Sequence, residues 1–417
     1  APGESAAEAG EDQPLSTLEA ISTYIKETMT SRASGVIRKM FEEGIQLKAK
    51  YGAENVFDFS LGNPDLDPPE SVFKAAEELA EVRESNFHGY MPNAGYPVAR
   101  KAMAEKTSAE QGVPVDADCV VMSVGAAGAL NSLLKAILNE GDEVVVPAPF
   151  FTEYRHYVKN FGGKLIEVPA AKDFSIDVNA IAASLTDKTA AVIINSPNNP
   201  TGRVYPEENI RDLVSVLNAH AASGKRKPYL ICDEPYRVII YDNKKVPAIF
   251  PLYDSAVVVT SFAKNLSLPG ERIGYICVNP VCPDKDDVVA ACTFTTRILG
   301  YVNAPAFFQR VVSKCWNAYV DYSLYEKRRN ELMEVLDAAG IEHLVPEGAF
   351  YMWCKVPDNF DGDDMEFCDY LKKYLILAAP GSGFGGKGWF RLAYCVAESC
   401  ILNSRSAFKK AVEDLKK

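Results

Sequence analysis

The sequence predicts an α/β protein with a mostly parallel sheet, helices on both faces of that sheet, and a smaller α+β unit that completes the fold. From residue 119 onward, short apolar runs alternate with helical stretches, as in a parallel sheet with crossover helices. The runs are almost continuous in Val and Ile, which is typical of strands covered on both faces. In chain order they are CVVMSV, EVVVPAP, KLIEVPA, AAVIINSP, YLICDE, AVVVTSF and RIGYICVN.

The part of the chain before these runs is predicted to be mainly helical. Residues 1–14 are rich in Ala, Glu and Gly and show no apolar period, so we expect a disordered extension there. Residues 15–50 are expected to form helices that end at Gly52. The segment VFDFSLGNPDLDPP is expected to be a short strand followed by a turn-rich loop. Further helices are expected at residues 70–84 and 96–111.

The last third of the chain predicts the α+β unit. Residues 284–339 have a helical pattern, including a long element near 305–339. Two apolar segments, GAFYMWCKV and FRLAYC, flank a helix expected at 364–374, and a final helix is expected from residue 397. This alternation indicates a second, smaller core.

Composition excludes several classes of protein. The net charge of −12 argues against a nucleic-acid or anionic-membrane surface, and no metal site is predicted. No apolar stretch reaches the roughly 18 residues that a membrane-spanning helix needs. The ten cysteines form no CxxC pair, and several lie in apolar runs, which is typical of reduced core thiols in a cytoplasmic protein.

The segment SFAKNLSLPGERIGY points to chemistry at a lysine. Lys264 follows a predicted strand, with Ser261 before it and Arg272 after it. A partly desolvated lysine condenses with aldehydes, and a hydroxyl beside a guanidinium suits a phosphate. An ordinary surface lysine with a salt-bridged arginine is the alternative.

Two other strand ends carry polar groups that suit a ring. Asp233 in ICDEPY could pair with a protonated ring nitrogen, and Tyr236 could reach a phenolic oxygen on the same ring. Asn199 in NSPNNPTG offers an amide at the same edge of the sheet. Taken alone, each segment could instead be a simple capped turn.

Three further segments suit an anion or a flat ring. In SVGAAGALN, the backbone at Gly125–Ala126 opens a helix and could donate N–H groups to an anion, although close helix–strand packing is the alternative. Phe151 in APFFTEY could stack on a heteroaromatic ring or belong to the core. Arg391 lies in the apolar run FRLAYC, where a carboxylate ligand or an internal salt bridge would satisfy it.

Taken together and in this order, NNPTG, DEPY and SFAKNLSLPGERIGY resemble the class I/II aminotransferases, which are fold type I enzymes dependent on pyridoxal 5′-phosphate (PLP). The resemblance covers the chain from about residue 15. It implies a homodimer with active sites at the subunit interface and a mostly parallel, seven-stranded sheet. It also implies a large PLP-binding domain at residues 66–325, and a small domain made of an N-terminal segment, 15–65, and a C-terminal segment, 326–417.

Residue by residue, the resemblance implies a cofactor site. Lys264 would form the Schiff base with PLP and, once freed, act as the base that moves a proton. Asp233 would keep the pyridine nitrogen protonated. The other contacts would be Asn199 and Tyr236 at the phenolic oxygen, Ser261, Arg272 and the Gly125–Ala126 backbone at the phosphate, Phe151 on the ring face, and Tyr90 of YMPNAGY at the phosphate in the partner subunit.

The implied reaction is a ping-pong transfer of an amino group from an L-amino acid to a 2-oxo acid. Arg391 would bind the substrate α-carboxylate, with Asn199 and the Gly62 backbone nearby. The alternatives are a PLP-dependent C–S lyase or decarboxylase on the same fold, and a non-catalytic PLP-sensing domain. A sensor fused to a DNA-binding region is disfavoured because only about 14 residues precede the first aligned helix and the chain is acidic. A degenerate, non-catalytic paralogue is disfavoured because Lys264, Asp233, Arg272 and Arg391 are all present.

Substrate specificity stays open at this stage. In aspartate aminotransferases a partner-subunit arginine, three residues before a tyrosine, binds the side-chain carboxylate. Counted from Tyr301, that position is Ile298 here, and Arg297 is one residue away. Ala126 and Ala127 also stand where related enzymes often carry larger polar residues, so backbone contacts to phosphate are expected there rather than side-chain contacts.

Overall fold

The computed structural model describes residues 20–417, apart from the side chains of residues 35–38. The extension expected at residues 1–14 lies outside the described residues. The helices of the described part are Thr23–Thr30 (α1), Arg32–Tyr51 (α2), Glu70–Ala80 (α3), Pro97–Gln111 (α4), Gly125–Ile137 (α5), Tyr154–Lys159 (α6), Val178–Ser184 (α7), Glu207–Ala222 (α8), Lys285–Ile298 (α9), Ala306–Cys315 (α10), Ser323–Ala339 (α11), Asp364–Leu371 (α12), Glu398–Asn403 (α13) and Arg405–Asp414 (α14).

The strands of the described part form three sheets. They are Phe57–Asp58 (β1), Val120–Ser123 (β2), Glu143–Ala148 (β3), Lys164–Pro169 (β4), Thr189–Asn195 (β5), Tyr229–Asp233 (β6), Ala256–Ser261 (β7), Gly274–Val278 (β8), Tyr351–Lys355 (β9), Ile376–Leu377 (β10), Ala379–Pro380 (β11) and Trp389–Ala393 (β12). Short 3₁₀ turns lie at Ala53–Asn55, Ala117–Cys119, Pro269–Glu271, Lys372–Tyr374 and Gly381–Phe384.

The largest sheet has seven strands in the order β2-β8-β7-β6-β5-β3-β4. β8 runs antiparallel to both of its neighbours, and the other pairs are parallel. Each apolar run from residue 119 to residue 279 contains one of these strands. The predicted α/β class, with a mostly parallel seven-stranded sheet, is therefore confirmed.

Helices cover both faces of this sheet because its strands are apolar on both sides. Along β3, Val145 packs into one core with α3, α4, α8 and α10, whereas Val144 and Val146 pack into another with α5 and α9. Side chains of successive strand residues point to opposite faces, so an uninterrupted Val run serves both cores.

A third core joins the start of the described chain to its end. β1 pairs with β10 in parallel, and β9, β11 and β12 form an antiparallel sheet. Residues of these strands pack with α2, α11, α12 and α14 around buried aromatic side chains such as Phe59 and Phe350. The predicted α+β unit at the end of the chain is present.

Two stretches predicted as single helices are divided in the structure. Between residues 305 and 339, α10 ends at Cys315 and α11 begins at Ser323, whose backbone N–H donates to Asp321 Oδ1 over 3.2 Å. After residue 397, α13 and α14 meet at Ser404, whose hydroxyl donates to the Ile401 carbonyl oxygen over 2.7 Å. α13 and α14 both pack on the third core, so the apolar period continues across their break. α10 instead packs on the sheet core and α11 on the third core, so the chain passes from one core to the other between them.

Strand register brings the polar ends of the strands together. Asn195 at the end of β5 lies beside Asp233 at the end of β6, and Gly274 of β8 lies between Ser123 of β2 and Ser261 of β7. Ligands of open α/β sheets bind at the carboxyl ends of parallel strands. The sheet therefore presents these side chains at one edge.

Two expectations from composition concern the cysteines and the membrane. All ten cysteines are unpaired thiols, and all except Cys400 are buried. Among residues 20–417, no helix is both long and apolar enough to span a membrane.

Candidate active site

A cavity of about 520 Å³ lies at this edge of the sheet. The residues singled out in the sequence that line it are Gly62, Ala126, Ala127, Phe151, Asn199, Asp233, Tyr236, Ser261, Lys264, Arg272 and Arg391. Gly125 directly precedes Ala126 at the start of α5. Tyr90 is not part of the lining and is 85% exposed.

Lys264 lies in the loop after β7, and its Nζ donates to the carbonyl oxygen of Gly62 over 2.6 Å. The pKa of Lys264 is lowered to about 8, chiefly by burial; Cys395 opposes this shift and the charges of Arg391 and Arg272 reinforce it. An amine with a pKa near 8 is partly unprotonated at neutral pH, so Lys264 is a competent nucleophile and base.

Asp233 ends β6 with one carboxylate oxygen satisfied and the other free. The hydroxyl of Tyr154 donates to Oδ2 over 2.5 Å, and Oδ1 is buried without a partner in the described part of the chain. Burial raises the pKa of Asp233 to about 7, which the Tyr154 hydrogen bond opposes and the charge of Glu234 reinforces. A buried oxygen without a donor is costly, so Oδ1 suits an N–H group of a bound molecule.

A hydrogen-bond chain fixes Asn199 next to Asp233. The Asn199 backbone N–H donates to Asn195 Oδ1 over 2.7 Å, and Asn195 Nδ2 donates to the Asp233 carbonyl oxygen over 2.9 Å. On the adjacent turn, the hydroxyl oxygen of Tyr236 lies 2.6 Å from that of Tyr351. Amide and phenol donors therefore face the cavity beside the carboxylate.

The other end of the cavity suits an anion. Gly125 begins α5 at φ +66°, and no described side chain caps the first turn of that helix. A Cβ on Gly125 would lie 3.2 Å from Arg272 Nη2, so the guanidinium lies directly against the helix start. A Cβ on Gly274 would lie 2.8 Å from the Gly125 carbonyl carbon, so only glycine allows this close approach. Together with the Ser261 hydroxyl, these groups suit a phosphate.

Arg391 of β12 is a buried guanidinium without a described carboxylate partner. Its Nη1 donates to Asn199 Oδ1 over 2.9 Å and its Nη2 to the Ser60 carbonyl oxygen over 2.8 Å, while Nε has no described partner. Its central carbon lies 4.5 Å from the ring centre of Tyr351 and 4.9 Å from that of Phe384. A buried cation without a counter-ion is unfavourable, so this group suits a bound carboxylate.

The remaining predicted residues lie at the edge of the cavity or outside it. Phe151 lines the cavity and packs edge-on against Tyr154, with ring centres 5.5 Å apart. Arg297 lies in the last turn of α9, exposed and without a described ion-pair partner, and Ile298 beside it is 49% exposed. Neither Arg297 nor Tyr90 lines the cavity.

Sequence reasoning missed three residues that hold the site: Tyr154, Asn195 and Tyr351. Tyr154 begins α6, three residues after Phe151, and its hydrogen bond spans 79 positions in the chain, which no local pattern reveals. Tyr351 did carry a signal, because a phenol in a buried apolar strand needs a polar partner. Asn195 ends a strand beside Asn199, the residue that the motif emphasised.

The groups of the cavity fit PLP in three separate respects. The free Asp233 Oδ1 matches a ring N–H, the uncapped start of α5 with Arg272 matches a phosphate, and the desolvated amine of Lys264 matches an aldehyde.

Comparison with known proteins agrees with this geometry. The family model described as aminotransferase class I and II matches residues 54–401. The probable aspartate/prephenate aminotransferase of Aquifex aeolicus is 31% identical over 385 residues, which cover 89% of this chain and 94% of that protein. Its counterpart in Thermus aquaticus is 33% identical over 358 residues, covering 85% and 91% of the two chains.

Solved structures give the same result. An amino transferase from Eubacterium rectale has a TM-score of 0.90 at 39% identity, covering 95% of this chain and 99% of its own. The aspartate aminotransferase of Thermus thermophilus with maleate has a TM-score of 0.82 at 27% identity, covering 94% and 99%. The chain therefore belongs to the class I and II aminotransferases: it is an aminotransferase of fold type I, and its cofactor is pyridoxal 5′-phosphate.

Proposed function

We propose that this enzyme moves the amino group of an L-amino acid to a 2-oxo acid in a ping-pong cycle, with substrates of the aspartate/2-oxoglutarate type. The observation that carries the proposal is the meeting of three groups in one cavity: the desolvated Lys264 amine, the unpartnered Asp233 Oδ1, and the Arg391 guanidinium, which has no described carboxylate partner. The relatives from Aquifex and Thermus with aspartate in their names support the substrate type.

The cofactor is held by groups at both ends of the cavity. Asp233 Oδ1 accepts the ring N–H, while Tyr236 and the free amide nitrogen of Asn199 donate to the phenolic oxygen. When bound, PLP supplies an aldehyde that amines attack and a protonated ring that withdraws electrons. The remaining contacts are Ser261, Arg272 and the Gly125–Ala126 backbone at the phosphate, and Phe151 on the ring face.

The substrate is oriented by Arg391 and worked on by Lys264. Arg391 binds the α-carboxylate through its planar fork, and Asn199, already bonded to that guanidinium, holds it in place. Lys264 Nζ removes the proton from Cα of the amino acid in the first half-reaction. In the second half-reaction it delivers a proton to Cα of the 2-oxo acid. Its lowered pKa leaves a neutral amine available near neutral pH. The Gly62 carbonyl keeps this amine inside the cavity between these steps.

The decisive experiment is an absorption titration of the PLP-loaded protein with L-amino acids. Visible colour that bleaches with certain amino acids and returns with a 2-oxo acid is the expected result. Lys264→Ala should abolish both the colour change and turnover, whereas the exposed-site control Lys101→Ala should leave both intact. Release of ammonia, a thiol or carbon dioxide instead of a 2-oxo acid would assign lyase or decarboxylase chemistry and overturn the proposal.

We also propose that the enzyme acts as a homodimer in which Tyr90 reaches the phosphate site of the second copy. Tyr90 is 85% exposed and lies outside its own cavity. Large apolar side chains are also exposed on α1, α2 and α9; they include Ile25, Phe41, Phe294 and Ile298, and Phe41 also lines the cavity.

Mixed dimers test this arrangement directly. In a hybrid of a Lys264→Ala chain and a Tyr90→Phe chain, one site combines an intact lysine with an intact tyrosine. Mixing the two variants at limiting PLP should therefore restore activity that neither shows alone. Activity equal to the sum of the separate variants, or a monomer by light scattering, would contradict the arrangement.

A second carboxylate on the substrate needs a further cation. The cations that line the cavity are Lys264, Arg272 and Arg391, and each already has a proposed task. We propose that Arg297 of the second copy binds the side-chain carboxylate. Arg297→Met should then lower kcat/KM for aspartate but not for alanine; an equal change for both would reject this role.

We also propose domain bounds and a cellular location. Residues 15–65 and 326–417 form the small domain and residues 66–325 the large one, which the shared core of β1, β10 and α11 supports. We further propose a cytoplasmic location, because the unpaired and mostly buried cysteines suit a reducing compartment.

A further inference from the structure

Tyr351 connects the groups at the centre of the cavity. It begins β9, is 2% exposed, and lines the cavity beside Tyr236 and Arg391. We propose that Tyr351 is a positioning residue: its hydroxyl fixes the hydroxyl of Tyr236, and its ring fixes the guanidinium of Arg391. This inference rests on the proposed function, because it concerns how these two residues meet cofactor and substrate.

The hydroxyl of Tyr351 is held in place from several sides. It lies 2.6 Å from the Tyr236 hydroxyl, and a Cβ on Gly62 would lie 2.1 Å from it, so the phenol packs directly on the Gly62 backbone. The same glycine accepts the hydrogen bond of Lys264. Tyr236 packs edge-on against the Tyr351 ring, with ring centres 5.6 Å apart. Tyr351 therefore contacts both Tyr236 and the glycine that accepts the hydrogen bond of Lys264.

The direction of the Tyr351–Tyr236 hydrogen bond decides what Tyr236 can do. Burial raises the pKa of both phenols, that of Tyr351 to about 12 and that of Tyr236 well above its ordinary value, so each carries its hydrogen at neutral pH. Either hydroxyl could donate, but in the proposed function Tyr236 donates to the cofactor, so its oxygen accepts the hydrogen of Tyr351. The hydrogen of Tyr236 then remains free for the phenolic oxygen of the cofactor, and the donation that it receives strengthens its own.

The ring of Tyr351 has a separate effect on Arg391. The guanidinium lies over the rings of both Tyr351 and Phe384, at 4.5 Å and 4.9 Å from their centres. Cation–π contact with these rings holds the guanidinium in place while no carboxylate is bound. Loss of the hydroxyl alone should leave this contact intact, so the two effects can be separated by choice of variant.

Tyr351→Phe tests the hydroxyl. The readout is the pH-dependent change in visible absorption of the PLP-loaded protein. This change reports the protonation of the Schiff-base nitrogen formed with Lys264, which lies next to the cofactor's phenolic oxygen. Weaker donation from Tyr236 should move the midpoint upward by about 0.5 to 1 pH unit, the size of one lost hydrogen bond. In a Tyr236→Phe background the same substitution should cause no further shift; an additional shift there would overturn the proposal.

Tyr351→Leu tests the ring. Compared with Tyr351→Phe, it should weaken binding of propanoate, an unreactive carboxylate, by about 2- to 30-fold. Equal propanoate dissociation constants for the two variants would overturn this part of the proposal. Tyr394→Phe is the matched control, because its buried hydroxyl lies 3.4 Å from that of Tyr241 and does not line the cavity. It should change neither readout.

The outcomes separate this inference from the proposed function. A wild-type protein that takes up no PLP would reject the function. A loaded protein whose midpoint is the same with Tyr351→Phe would reject only the role of Tyr351. If Tyr351→Phe does not fold, 3-fluorotyrosine at position 351 provides a stronger donor of nearly the same size. The midpoint should then move downward, and an unchanged midpoint would overturn the inference.

Discussion

The hydroxyl of Tyr154 donates to Asp233 Oδ2 over 2.5 Å and leaves Asp233 Oδ1 buried without a partner in the described chain. The two residues come from α6 and β6, so helix packing against the sheet sets the orientation of the carboxylate. With Oδ2 engaged, the free oxygen is fixed in the cavity before any cofactor arrives. Such preorganisation reduces the ordering that binding would otherwise require.

Tyr154→Phe should therefore weaken PLP binding. The carboxylate would lose its fixed orientation and a hydrogen bond to a charged group, which is worth about 1.5 to 3 kcal/mol, or roughly 10- to 150-fold in the dissociation constant. Quenching of protein fluorescence by added PLP measures this constant. Tyr253→Phe also removes a buried hydrogen bond, from its hydroxyl to the Pro228 carbonyl oxygen, and should leave PLP affinity unchanged. Similar affinities for all three proteins would show that Tyr154 does not orient the carboxylate.

The raised pKa of Asp233 predicts a pH dependence of stability for the cofactor-free protein. Burial raises this pKa from 3.8 to about 7, so between these values the folded state keeps a proton that the unfolded state has lost. Stability should accordingly fall as pH rises through this window, by up to about 4 kcal/mol at about 1.4 kcal/mol per pKa unit.

The comparison of wild type with Asp233→Asn isolates this contribution. Urea unfolding of both cofactor-free proteins from pH 4 to pH 7.5 should show the variant gaining stability relative to wild type as pH rises. With PLP bound, the wild-type loss should shrink because the ring N–H stabilises the ionised carboxylate. Parallel pH profiles of the two cofactor-free proteins would contradict the assignment.

Much of the site could be predicted because its residues lie in short, spaced motifs at strand ends. Asp233 and Ser261 end apolar strands, where parallel sheets present ligands, and Lys264 follows such a strand. Tyr154 could not be assigned in this way, since its partner is remote in the chain and its position is set by the packing of α6.

The fold shows the same division between local and remote information. Apolar runs predicted the strands of the large sheet, since burial on both faces leaves a clear pattern. The break between α10 and α11 was missed because it lies where the chain passes from the sheet core to the third core, which a continuing apolar pattern does not reveal. Likewise, nothing local in the sequence indicates that β8 runs antiparallel to both of its neighbours.

The lowered pKa of Lys264 predicts the pH dependence of cofactor attachment. Burial brings this pKa to about 8, so the fraction of neutral amine should rise as pH increases through 8. The rate at which PLP becomes covalently attached to the cofactor-free protein should follow that fraction. Stopped-flow absorbance from pH 6 to pH 9.5 measures it, with borohydride trapping and mass spectrometry as the check on the residue.

Arg391→Gln gives this prediction a second, directional test. The charge of Arg391 lowers the pKa of Lys264, so its removal should move the midpoint of the rate profile to higher pH. Arg405→Gln, on the exposed face of α14, should leave the midpoint in place. A profile that is flat in wild type would mean that Lys264 does not limit attachment.

Arg391 should contribute strongly to substrate binding because its buried charge has no described counter-ion. Its guanidinium is buried and lacks a carboxylate partner in the described chain, so a substrate α-carboxylate would be its counter-ion. Arg391→Ala should lower kcat/KM by about 2–5 kcal/mol, or roughly 30- to 5,000-fold, since it leaves that carboxylate unpaired inside the cavity. Arg391→Lys keeps the charge without the planar fork, so its kcat/KM should lie between those of wild type and Arg391→Ala.

A primary amine lacking a carboxylate provides the internal control, because its slower reaction should be the same in all three proteins. If kcat/KM for amino acids were unchanged in Arg391→Ala, the bonds to Asn199 and Ser60 would be the whole role of this arginine, and the substrate carboxylate would bind elsewhere.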